Sequence, residues 1–142
     1  MAKYGSASVT ITIDDAPGGS PTAITQYVRE IGGAKIENLT QETQPFGTSW
    51  IENTSTGVRK VDDIAINGLF DDTATTGPHD ILRVQDAEVG PGADTRTLAL
   101  VYGGGKTFTV EGIMASYEVL GKNGNLTEYA AIFRPSGAGV WS

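Results

Sequence analysis

Apolar and polar residues alternate in several short runs, and these runs outline the fold. Val9, Ile11 and Ile13 alternate with Thr10 and Thr12 before Asp14-Asp15, the period of a strand with one buried face. Ile64, Ile66 and Phe70 share a face with Gly68, while Asp63 and Asn67 punctuate the other. The last third is the clearest. Leu98, Leu100 and Tyr102 alternate, Gly103-Gly-Gly105 turns, and Phe108 and Val110 begin a returning strand. At Gly112 the parity shifts to Ile113, Ala115, Tyr117 and Val119, which predicts a bulge or bend. Lys122-Asn123-Gly124-Asn125 then supplies Asn-Gly, a strong hairpin signal because a type I′ turn needs positive φ at both central positions. Tyr129, Ala131 and Phe133 return on one face, and Pro135-Ser-Gly137 is expected to end the ladder, leaving a short tail to Trp141. Three successive antiparallel strands make a meander.

Between these runs the pattern changes. Ile24, Tyr27, Val28 and Ile31 sit at i, i+3, i+4 and i+7. Ser20-Pro21 reads as an N-cap followed by a first-turn proline, and Gly32-Gly33 as a stop. A short helix is predicted there, weakened by its β-branched residues. His79 to Asp86 behind Pro78 predicts a second short helix, with Ile81, Leu82 and Gln85 on one face. Lys35 to Thr43 reads as a strand. It feeds the 15-residue span from Gly47 to Val61, rich in Ser, Thr, Asn and Gly yet carrying Trp50-Ile51. Loops this long are uncommon in compact domains, so residues 43–61 are expected to form a long contact loop.

The chain has 142 residues, which suits one domain, residues 1–142, able to bury roughly 70% of its unfolded surface. The expected class is all-β dominated: a β-sandwich or partial barrel with one or two short helices. Its 19 glycines fall between β-like segments, as turn punctuation does. With no cysteine, a disulfide framework or Cys-based zinc site is excluded. No secretory signal core is visible at the N-terminus, and the densest apolar run, Leu98 to Tyr102, is far too short to span a bilayer. A soluble protein with no membrane partner is expected. The net charge is −7, with acids in excess in both halves, so the chain offers no basic patch for neutralising phosphates.

Little in the sequence points to chemistry. His79 is the one histidine, too few for common zinc constellations. Asp14-Asp15, Asp62-Asp63 and Asp71-Asp72 lack the spacing of a calcium loop and suit strand ends and turns. Gly103-Gly-Gly105-Lys106 lacks the earlier glycine and the following helix of a phosphate loop. Glu111 and Glu118 lie too far apart along one strand to act as an acid/base pair. No enzyme activity, cofactor or metal is expected. Phe46, Trp50 and Trp141 stand out instead as aromatics in segments read as loop or tail, where such residues fold back or anchor a partner.

An ordered set of segments resembles the major tail tube proteins of long-tailed, non-contractile bacteriophages and of related prophages and gene-transfer particles. The set is Val9-Thr-Ile-Thr-Ile-Asp-Asp15, Ile24-Thr-Gln-Tyr-Val28, Glu42-Thr-Gln-Pro-Phe-Gly47, Thr56-Gly57 and Ile64-Ala-Ile-Asn-Gly-Leu-Phe-Asp-Asp72, followed by Tyr102 to Phe108, Val110 to Glu118 and Phe133 to Gly137. The resemblance covers about Val9 to Gly137 and rests on the ordered set rather than on any one motif. It implies subunits that close into hexameric rings, one sheet from each joining a composite β-barrel. Stacked rings would form a hollow conduit for DNA, in a virion tail assembled in the host cytoplasm. The implied partners are further copies of the chain, a tape-measure protein held in the lumen, tail-tip (initiator) and terminator proteins, and double-stranded DNA passing without specific binding. The long loop would reach a neighbouring ring. Candidate contact residues are Phe46, Trp50, Ile51, Arg59 and Trp141. Alternatives are the inner-tube protein of a contractile tail or secretion system, which shares fold and ring, and a monomeric β-sandwich binding module.

Overall fold

A computed structural model describes Gly5, residues 8–121 and residues 124–142. Among these described residues nine strands carry the fold: β1 (Thr10–Asp14), β2 (Pro21–Ala23), β3 (Glu30–Ile31), β4 (Ile36–Thr43), β5 (Glu52–Val61), β6 (Ile64–Leu69), β7 (Arg96–Val101), β8 (Thr107–Leu120) and β9 (Glu128–Trp141). A short α-helix, α1 (Pro78–Leu82), joins them. Seven strands form one antiparallel sheet in the order β2-β1-β7-β8-β9-β6-β3, while β4 and β5 pair separately. Of the two expected architectures the partial barrel is the one present, because the core strands belong to one curled sheet with its apolar side chains on the inner face. Ile13, Ile66, Leu98, Phe108, Tyr129 and Phe133 are among the fully buried members of one cluster.

The meander β7-β8-β9 has the expected order, and β8 and β9 are long enough to bend the sheet. Val110 faces Gly139 but Gly112 faces Pro135, so Ser136–Ala138 bulge out of β9 while β8 keeps its parity. The parity change expected at Gly112 therefore falls later. Phe108, Val110, Gly112 and Met114 all point inward. Ala115 is then the extra residue, since Met114 pairs with Phe133 and Ser116 with Ile132; this turns Tyr117 towards the core beside Ala131. Gly112 serves close approach, as a Cβ there would lie 2.4 Å from the Arg134 carbonyl oxygen and 2.8 Å from the Phe133 ring. Of the Asn-Gly turn expected at Lys122–Asn125, Lys122 and Asn123 lie outside the described residues. β9 does not stop at Pro135 as expected. It resumes after the bulge and pairs Trp141 with Phe108.

The helix expected after Pro21 is absent. In its place stand β2, a 3-10 turn at Thr25–Tyr27 and β3. The Thr25 hydroxyl explains this: it accepts the Ile11 N–H at 2.9 Å, tying the segment to the β1 edge, a side-chain-to-backbone bond that competes with helix. Ile24 is fully buried, whereas Tyr27, Val28 and Ile31 only pack partly against the core.

The second expected helix is shorter than predicted. α1 ends at Leu82, and a separate 3-10 turn spans Asp86–Glu88. Both are fastened under the sheet by Arg96, which is fully buried. Its guanidinium donates to the Ile81 carbonyl, to the Arg83 carbonyl at 3.2 Å and to the Glu88 carboxylate. Glu88 also accepts the backbone N–H groups of Met114 at 2.8 Å and Gln85 at 3.2 Å. His79 is a packing residue: it lies edge-on to Phe70 and Tyr117, with Nδ1 3.2 Å from the Tyr117 hydroxyl.

Removing one partner of a buried ion pair leaves a charge uncompensated and costs about 3–5 kcal/mol. Glu88→Ala is expected to lose that much stability in a urea titration. The paired change Glu88→Leu with Arg96→Met is expected to lose far less.

Tyr129 is buried and its hydroxyl donates to the Tyr27 carbonyl at 2.8 Å. Burial, with Tyr117 adding to it, holds its pKa well above the ordinary 10.0. Burial also raises Tyr117 and Tyr102. The unfolded chain releases these protons near pH 10 while the folded chain keeps them. Stability is therefore full below about pH 10 and falls as pH rises beyond it. Tyr129→Phe is expected to flatten that alkaline limb in melting curves taken across pH, at a cost of about 1 kcal/mol near neutrality for the lost hydrogen bond.

Candidate assembly surfaces

Residues 43–61, expected as a loop, are half of a β-ribbon. β4 and β5 pair from Ile36↔Val61 out to Thr43↔Glu52, making an arm that leaves the seven-stranded sheet. At about 3.3 Å per residue, the 10 residues of β5 give it a reach of about 33 Å. Every residue from Thr40 to Lys60 is exposed. With neither face buried there is no alternation to read, and β5 is mostly polar, with Val58 and Val61 its only large apolar residues. Opposite Leu39 the arm carries a bulge at Thr56–Val58, between the pairs Asn38↔Arg59 and Thr40↔Ser55. Gly57 takes φ of 82° there, a conformation that favours glycine. Side chains close the bulge: Thr56 Oγ1 donates to the Leu39 carbonyl at 3.0 Å and Ser55 Oγ to Asn38 Oδ1 at 2.8 Å. At the root, Lys60 pairs with Glu37 and Asp62, and Lys35 with Asp62.

The five candidate contact residues occupy three places. Phe46, Trp50 and Ile51 cap the arm tip at 109%, 81% and 59% exposure. Arg59 lines a groove at the arm root with Ile36, Val58, Pro135 and the backbone of Gly137–Gly139. Trp141 folds back as the end of β9, its ring 5.0 Å from that of Phe108 and 5.8 Å from that of Tyr102, though it remains half exposed.

Sequence reasoning missed a further surface. β1, next to the end strand β2, and the end strand β3 border one cleft, whose apolar lining includes Val9, Ile11, Val28, Ile31 and Tyr102, with Arg29 and Glu30 beside them. The signal was present but ambiguous, since the spacing of Val28 and Ile31 also fits a helix face.

The acidic groups have structural employment. Asp14 accepts the Thr97 N–H at 3.0 Å and Asp15 the Ser20 N–H at 3.1 Å. Glu111 accepts the hydroxyls of Thr95 and Thr97. Asp71 accepts the hydroxyl and the N–H of Thr73, which lower its pKa. Among the described residues no three His, Asp or Glu side chains gather as metal ligands would.

No protein-family model matches the sequence, and comparison with curated proteins finds no match. Solved structures do match, over the full length. A chain in the tail of an empty gene-transfer-agent (GTA) particle, refined helically with C6 symmetry, superposes with a TM-score of 0.72 at 16% identity, with 99% of each chain covered. One in the virion of the native GTA particle gives 0.70 at 15%, again with 99% of each covered. A chain in the six-fold symmetrised baseplate of the anti-feeding prophage gives 0.70 at 7%, covering 100% of this chain and 97% of the other. Across the length of this chain, its half-barrel is the fold of chains in those tail and baseplate structures.

Proposed function

We propose that the chain is a structural subunit of a tail tube. Six copies close into a ring, rings stack, and the hollow stack delivers DNA and encloses a tape-measure protein. The observation that carries this reading is the full-length match to a chain of a C6-symmetric tail. Two features of the molecule support it. The β7–β8 register ends at Gly112 and the β6–β9 register at Phe133, so the far halves of β8 and β9 each have no strand partner on that side. Such edges invite pairing with another chain, and ring closure covers them. The arm, with Phe46, Trp50 and Ile51 at its tip and Arg59 at its root, is then the contact between rings. The net charge of −7 suits a conduit to which DNA phosphates do not adhere. Initiator and terminator proteins are the remaining partners, the role is structural rather than catalytic, and the destination is the virion tail.

The anti-feeding prophage match favours a second reading, the inner tube of a contractile particle. A sheath around the tube in micrographs distinguishes it from the non-contractile form.

Negative-stain electron microscopy of the purified protein at low and high concentration tests the proposal. Hollow rings or stacked tubes are expected. A solution mass that stays near 14.9 kDa under all conditions would favour a monomeric binding module instead. Replacing residues 44–51 by an Asn-Gly turn joins the paired ends Thr43 and Glu52. This variant is expected to keep its circular dichroism and melting temperature while forming rings that do not stack. Full-length tubes from it would sink the arm assignment.

A further inference from the structure

The arm tip needs a receptor, and the cleft between the two ends of the curled sheet has the matching chemistry. We propose that the tip of one copy docks in the β1–β3 cleft of a second copy. This rests on the tube reading and adds the site at which neighbouring rings engage.

The cleft exists because the half-barrel stays open. β2 covers β1 only from Thr12 to Asp14, and β3 pairs with β6 on its other side. Below that point Ile11, Val9, Val28, Ile31 and Tyr102 line a cleft of about 620 Å³, backed by the core cluster. The tip offers the complement. Phe46, Trp50 and Ile51 are exposed and belong to an arm whose outer residues touch solvent on both faces, so its own chain does not occupy them. Glu42 and Glu52 flank the tip, while exposed Arg29 stands at the cleft lip with Glu30 beside it and forms no ion pair among the described residues. The arm-root groove suits the tip less, because Gly57, Gly137 and Gly139 take much of its lining and no aromatic side chain lies in it. Knob and cleft lie on different parts of one chain, so the contact is head-to-tail; on the tube reading it runs between rings and repeats along the stack.

The chain has no cysteine, which makes cross-linking readable. Ile51→Cys protein is mixed with Gly33→Cys protein, assembled and oxidised. Gly33 lines the cleft, and a Cβ there meets nothing within 4 Å. A disulfide-linked pair containing one copy of each variant is expected, and the 51–33 peptide link is read by mass spectrometry. In a parallel arm, Arg29→Glu is expected to lower the stacked fraction with an unchanged melting temperature, and Glu52→Arg in the same chain to restore it. Stacked tubes whose thiols stay unlinked overturn the receptor and leave the tube reading standing. A link to Val58→Cys in place of Gly33→Cys overturns it in favour of the arm-root groove. Wild-type protein that never forms rings or tubes overturns both.

Discussion

The buried pair of Arg96 and Glu88 sits where the sheet divides. Arg96 opens β7 opposite Gly112, the last point at which β7 holds β8. Two residues further on, the Met114 N–H would point into the interior without a strand to receive it. The Glu88 carboxylate receives it instead. On the other side, the Ile81 and Arg83 carbonyls at the end of α1 need donors, and the Arg96 guanidinium supplies them. An unpaired buried polar group costs about 1–3 kcal/mol, so several such costs are averted by two side chains that neutralise one another. Pro78, Ile81 and Leu82 supply the buried apolar residues of α1. Polar fastening thus completes what apolar burial begins, and β8 can leave β7 and bend with β9 into the half-barrel.

What the sequence made legible follows from one-sided burial. β1, β6 and the meander each put one face on the core, and their alternation is plain in Val9–Ile13, Ile64–Phe70 and Tyr129–Phe133. β5 was illegible for the opposite reason: Glu52 to Lys60 is exposed throughout, so strand pairing there leaves no trace in hydrophobic period. The predicted helix at Ile24–Ile31 shows the converse hazard, because apolar residues of an irregular edge segment fell on helical spacing by the accident of which ones face the core. Trp141 looked like a tail residue because Pro135-Ser-Gly137 imitates a stop. In the fold that tripeptide is a bulge beyond which the strand resumes.

The candidate surfaces divide along the same line. Large apolar residues in a polar setting, Phe46, Trp50 and Ile51, were visible as anomalies and stand on the arm tip. Arg29 and its apolar neighbours were not, because a cleft between the first and third strands brings together Val9, Val28 and Tyr102 from distant parts of the chain. Separation of that kind has no local signature.

The slenderness of the arm has a consequence for assembly. A two-stranded ribbon exposed on both faces is marginally stable by itself, and ordering it against a neighbour consumes part of the contact energy. In the proposed stack of six-membered rings, a lone subunit would engage one arm and so bind weakly. A ring would present six at a fixed spacing, and once one was held the others would bind at high effective concentration. Avidity of this kind would separate complete rings from stray copies without any change of shape.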